Sequence, residues 1–123
     1  MTNRFDDAFD SLTLGIETAL GDVLRVYRDG TQPVDPPCAV IAPPQIDFEA
    51  YDNAPTGLTF TLYLVVQPDD RMMSRLFDLI EPVSNAVWDN VPNAAVTSAS
   101  PAAYPISDTS SLPCYQITVE MSL

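Results

Sequence analysis

Between residues 34 and 67 the chain places two double prolines, Pro36-Pro37 and Pro43-Pro44, around a short apolar run, followed by two stretches that alternate with period two. No other segment restricts the fold as strongly. Proline fixes φ and has no N–H to give to a ladder, so each pair must end a strand or turn a corner. Cys38, Ala39, Val40, Ile41 and Ala42, held between the pairs, read as a short buried strand. In residues 45–51, Ile46, Phe48 and Ala50 share a face that is expected to pack, with Asp47, Glu49 and Tyr51 on the other. In residues 58–66, Leu58, Phe60, Leu62, Leu64 and Val66 face one way, and Thr59, Thr61, Tyr63 and Val65 the other. Asn53, Pro55 and Gly57 between them favour a turn, so the two runs predict an antiparallel hairpin, one face packed and one open to water or a partner.

The flanking segments read as helices and further strands. Phe5, Phe9, Leu12, Ile16 and Leu20 recur at helical steps and predict a helix over residues 3–20, capped by Thr2 or Asn3 and ended by Gly21. Asp6, Asp7 and Asp10 suit the start of that helix, where the dipole favours negative charge, better than they suit a cation site. Residues 23–28 read as a strand, with Asp29-Gly30 as a turn. After Pro68, Asp69 or Asp70 can cap a second helix carrying Met72, Met73, Leu76, Leu79, Ile80, Val83, Val87 and Trp88, all expected in the core. Pro82 inside it predicts a kink or break near residues 78–82, and the helix should end near Asn90. Residues 94–99 read as a weak strand and residues 100–112 as a long polar loop. A last strand follows, in which Tyr115, Ile117, Val119, Met121 and Leu123 alternate with polar residues.

A length of 123 residues with 46% hydrophobic side chains supports a single globular domain, residues 1–123, in spite of its twelve prolines. The expected fold is α+β, a mixed, mainly antiparallel sheet of about five or six strands packed by two helices. Residues 1–7 lack a basic, then apolar, leader, and no stretch is long and apolar enough to span a membrane, so a cytosolic start is expected. Cys38 and Cys114 both follow proline and can lie on neighbouring strands; buried thiols are preferred to a disulfide.

The charge pattern narrows function by exclusion. Seventeen acidic residues stand against five arginines, without lysine or histidine, for a net charge of −12. Such a surface has no basic patch for phosphates. Without histidine there is no Ser-His-Asp or Cys-His nucleophile, and without lysine no Schiff base or phosphate-binding lysine. Asp47, Glu49 and Asp52 keep a paired-carboxylate mechanism open in principle, but acids alternating along a strand are ordinarily a solvated face. No enzyme activity, cofactor or metal is expected. Among the arginines, Arg25 and Arg28, or Arg71 and Arg75, can pair with acidic neighbours within the subunit or across an interface.

The order of elements, together with the segments VDPPCAVIAPP (residues 34–44), TLYLVV (61–66) and LPCYQITVE (112–120), resembles the tail terminator proteins of long-tailed bacteriophages, particularly those infecting actinobacteria. The resemblance runs over nearly the whole chain and includes no catalytic fingerprint. It implies a virion protein at the head–tail junction, assembled in the host cytoplasm as a homo-oligomer, usually a hexameric ring. The ring would stop growth of the tail tube and meet the head-side connector protein. Genomic DNA would pass through its lumen without specific binding, and acidic lumen walls would keep that DNA from sticking. Contacts are expected from the open hairpin face, with Asp47, Glu49, Tyr51, Thr59, Thr61 and Tyr63, and from the 100–112 segment, with Tyr104 and Asp108. Two other readings fit the composition: a different connector, tail-completion or tube subunit, and an acidic DNA mimic that inhibits a basic host protein.

Overall fold

The computed structural model describes residues 3–28, 36–49, 53–105 and 109–123. In chain order it contains α1 (Arg4–Leu20), β1 (Arg25–Arg28), β2 (Cys38–Ile41), β3 (Gln45–Phe48), β4 (Pro55–Val65), α2 (Met72–Asn90), β5 (Ala94–Pro105) and β6 (Ser111–Ser122). The strands form one sheet in the order β1-β2-β4-β6-β5, with β3 also pairing with β4. Only β1 and β2 run parallel, so the fold is α+β with a mixed, mainly antiparallel sheet and two helices.

The 58–66 alternation builds the spine of this sheet. Leu58, Phe60, Leu62, Leu64 and Val66 are buried on the face that receives both helices. Each such side chain contributes about 1.5–3 kcal/mol on burial. From α1 come Ala8, Leu12, Ile16 and Leu20, and from α2 Leu76, Val83, Ala86 and Val87. Phe9 stands edge-on to Phe60 at 5.7 Å. Asn3 caps α1 as its side chain implies, its Oδ1 accepting from the N–H groups of Phe5 and Asp6 at 3.0 and 2.9 Å. Gly21 ends the helix without a left-handed turn, at φ −59°. Gly15 has a different duty: a Cβ there would lie 2.6 Å from Val91 Cγ2, so its bare Cα lets the end of α2 come close.

The two double prolines act differently from two independent strand ends. β2 and β3 lie along the same side of β4 as one interrupted strand. Between Ile41, opposite Leu62, and Gln45, opposite Thr59, this strand has one residue more than β4, and Pro43-Pro44 occupies this excess. The apolar face of β3 then runs past the helices. Ile46 and Phe48, expected to pack, are exposed, at 40% and 56%. Alternation set the face they occupy, but no helix covers that corner of the sheet.

Four other expectations are corrected. α2 runs through Pro82 unbroken, with Leu76 on one side of it and Val83, Ala86 and Val87 on the other holding it on the core. Its N-cap is Arg71, while Asp69 serves from just outside: its Oδ1 accepts from Arg71 N–H at 2.8 Å and its Oδ2 pairs with Arg75 at 2.5 Å. The Arg71 N–H bond, with Arg75 beside it, holds the Asp69 carboxyl below its ordinary range. Trp88 and Met73 do not reach the core and are 73% and 42% exposed. Finally, the supposed polar loop is largely strand: β5 continues through Pro105 and pairs residue by residue with β6.

Cys38 and Cys114 are both buried and neither forms a disulfide. They flank Val65 from opposite sides, on β2 and β6, rather than lying on neighbouring strands. Two strand spacings of about 4.8 Å put them beyond disulfide reach. Arg28 pairs with Asp10 at 2.6 Å and lies over the Phe9 ring at 4.6 Å, tying β1 to α1.

Candidate assembly surface

The sheet face away from the helices carries most of the residues expected to make contacts. By register, Thr59, Thr61 and Tyr63 on β4 line up with Glu120, Thr118 and Gln116 on β6, and these with Ala95, Ser98 and Ser100 on β5. Thr59, Thr61 and Tyr63 are half-buried. Asp47 joins them from β3: its Oδ2 accepts from Thr59 Oγ1, and its Oδ1 from Gln45 Nε2, both at 2.9 Å. Glu49 is exposed just after β3. Tyr51 and Asp108 lie outside the described residues.

This face is not uniformly open. At the end where β4 finishes, Cys38, Val40, Val65 and Cys114 form a second buried cluster beneath Tyr27, Tyr63, Ala102, Tyr104 and Leu112. Val65, expected on the open face, is therefore buried. Tyr63 meets Tyr104 on β5 at 5.6 Å. A bulge makes this possible. Val96 pairs with Val119 and Ser98 with Thr118, leaving Thr97 as an extra residue that flips the remainder of β5. Ala94 and Val96 thus face the helices, whereas Ala102 and Tyr104, also even-numbered, face the second cluster. Burial raises the Cys114 thiol above its ordinary pKa.

Beyond the Val65–Cys114 pair, β4 stops while β5 and β6 continue as a two-stranded arm. Its backbone polarity follows from two hydrogen bonds. Leu123 N–H donates to Thr56 O and Ser122 N–H to Asn93 O, so odd residues of β6 turn toward β4 and even ones toward β5. Pro113 therefore directs its nitrogen to the side that β4 has vacated. Pro101, Ala103 and Pro105, opposite Tyr115, Pro113 and Ser111, direct theirs to the outer edge. All three prolines sit where the ladder asks for no donor. They also remove donors from both margins of the arm, a protection against strand addition.

The opposite end of the sheet holds an open groove of about 760 Å³. Trp88, Pro92 and Gly57 line it, together with the carboxylate-bearing Asp47 and Glu120. The turn entering β5 places Asn93 at φ 61°, a conformation asparagine accepts more readily than most residues. Among the described residues no group of three or more His, Cys, Asp or Glu side chains is arranged to hold a metal, and no helix is long and apolar enough to cross a membrane. The groove was not legible in the sequence. Its one available signal was Trp88, which directly follows the buried Val87 and so occupies the flank of the helix.

No protein-family model matches the chain, and a search of curated proteins finds no match either.

Proposed function

We propose that this chain is a structural subunit of a phage virion, a tail terminator that caps the head-proximal end of the tail tube as a ring and joins it to the head connector. The observation that carries this reading is the surface. The helices bury one face of the sheet and leave a hydroxyl-rich face, a protruding arm and a tryptophan-walled groove, all of the kind that meets other proteins. The sequence resemblance supplies the identity of those partners, and the −12 charge suits a channel that DNA must traverse without adhering. The role is architectural, with no reaction assigned to any side chain. Light scattering of the purified protein, alone and with the tail-tube protein of the same genome, tests it. A closed ring, or a monomer that closes only on tube ends, supports the proposal. Open tubes or binding to the portal-side ring alone would favour another connector or tube subunit. A salt-sensitive complex with a basic host protein, indifferent to tubes, would favour the DNA mimic.

A further inference from the structure

We infer that the β5–β6 arm of one copy docks on the Trp88 groove of a second copy, joining the two head to tail. This deepens the ring reading and rests on it for closure. The arm and the groove lie at opposite ends of the same strand pair, from Cys114 to Ser122 on β6. At about 3.4 Å per residue, that separates them by about 27 Å. A contact between two different patches of identical subunits propagates, and closes into a ring when its rotation permits.

Charge selects the occupant. Copies bearing −12 each repel one another wherever acids meet, and the groove itself presents Asp47 and Glu120. Residues 103–113 hold a single ionised side chain, Asp108, and Ser111, opposite Pro105, offers a hydroxyl, a donor suited to acceptor-only carboxylates. Shape and polarity agree. Ala103 and Pro105 of the arm share one exposed face with Pro101 just before it, and Trp88 stands 73% exposed beside Pro92 in the groove. Proline rings against an indole wall are an established recognition chemistry. Because prolines remove donors from both arm margins, the contact is made through side-chain faces and not by an added strand.

Trp88 is the only tryptophan, so its emission reports on the groove directly. The full-length protein is followed by sedimentation and by tryptophan emission across a concentration series, with and without tube protein, beside Ala103→Asp and Pro105→Asp. The wild type is expected to shift its emission to the blue as its mass rises. Both variants, altered only at exposed positions, are expected to keep the wild-type melting curve, hold their red emission and associate more than about tenfold more weakly. Unchanged association of both variants, or a rise in wild-type mass without any emission shift, overturns the docking. So does a wild type that stays monomeric throughout. Tube capping with unmoved emission removes this contact and leaves the terminator reading standing. Self-association that buries Trp88 while ignoring tubes supports the contact and removes that reading.

Discussion

One hairpin, β5–β6, contains two regions held by different means. On one side of the Thr97 bulge, Ala94, Val96, Val119 and Met121 face the helices and join the main core. On the other, residues 98–105 pair with β6 like the rest of β5, but apart from the half-buried Ala102 and Tyr104 their side chains are exposed and offer little burial to stabilise them. The near half is fixed by what its side chains bury; the far half is fixed by its ladder, its prolines and one tyrosine lid. A two-stranded ribbon is marginal in water, so the arm depends on the sheet that anchors it.

The widest separation should appear in stability. Phe60→Ala, which removes a fully buried ring packed on Phe9, is expected to cost about 3–5 kcal/mol in urea unfolding. Ala103→Asp, on the arm, should stay within about 0.5 kcal/mol. Comparable losses for the two would abolish the distinction between the halves.

Tyr104 is the arm's one side chain in the second cluster with a ring partner on the main sheet, and Tyr104→Ala should cost about 1–2 kcal/mol, including the Tyr63 ring contact. The sharper readout is chemical: with the lid gone, Cys114 should react faster with a thiol reagent. Unchanged labelling would mean that Tyr104 shields nothing.

A pH series probes the same cluster without altering the arm. Burial raises the Cys114 pKa in the folded state, so the folded protein holds its proton more tightly than the unfolded chain does. The resulting stability is complete below the ordinary thiol value of 9.0 and is lost as pH rises from there through the folded pKa. The stability of the wild type should therefore fall relative to Cys114→Ala as pH rises above the ordinary thiol value of 9.0. Parallel curves would place the thiol in water.

How much of this was legible follows the same division. Side chains that bury a full face leave a periodic trace, which is why the 58–66 spine, the Asn3-capped first helix and the final strand stand out in the sequence. An edge strand with most of its side chains exposed and a bulge in its middle leaves little, and Pro101 and Pro105 read as breakers although their nitrogens point outward. Periodicity also names a face without saying what covers it, so Ile46, opposite the buried Leu58, was placed on the right face, yet it and Phe48 are exposed. Asp47, Thr59, Thr61 and Tyr63 do share the open face; that Tyr63 meets Tyr104 depended on a one-residue bulge that no pattern announced.

The prolines are expected to change monomer stability as little as Ala103→Asp does, and their effect should appear in association instead. In Pro101→Thr with Pro105→Thr, no ladder bond is lost, because neither nitrogen faces β6, and threonine suits a strand. Thermal unfolding of the monomer should move by no more than about 0.5 kcal/mol. The outer edge, however, would then present N–H groups at residues 99, 101, 103 and 105 in unbroken alternation, a template for another strand. The double variant should acquire concentration-dependent, dye-binding β assemblies that the wild type lacks. A variant that stays as soluble as the wild type would show that the bulge and twist of the arm protect it, and that the prolines are incidental to its edges. Destabilisation of the monomer itself would instead mean that the prolines hold the arm in shape, making the far half as dependent on its own residues as the near half is on the core.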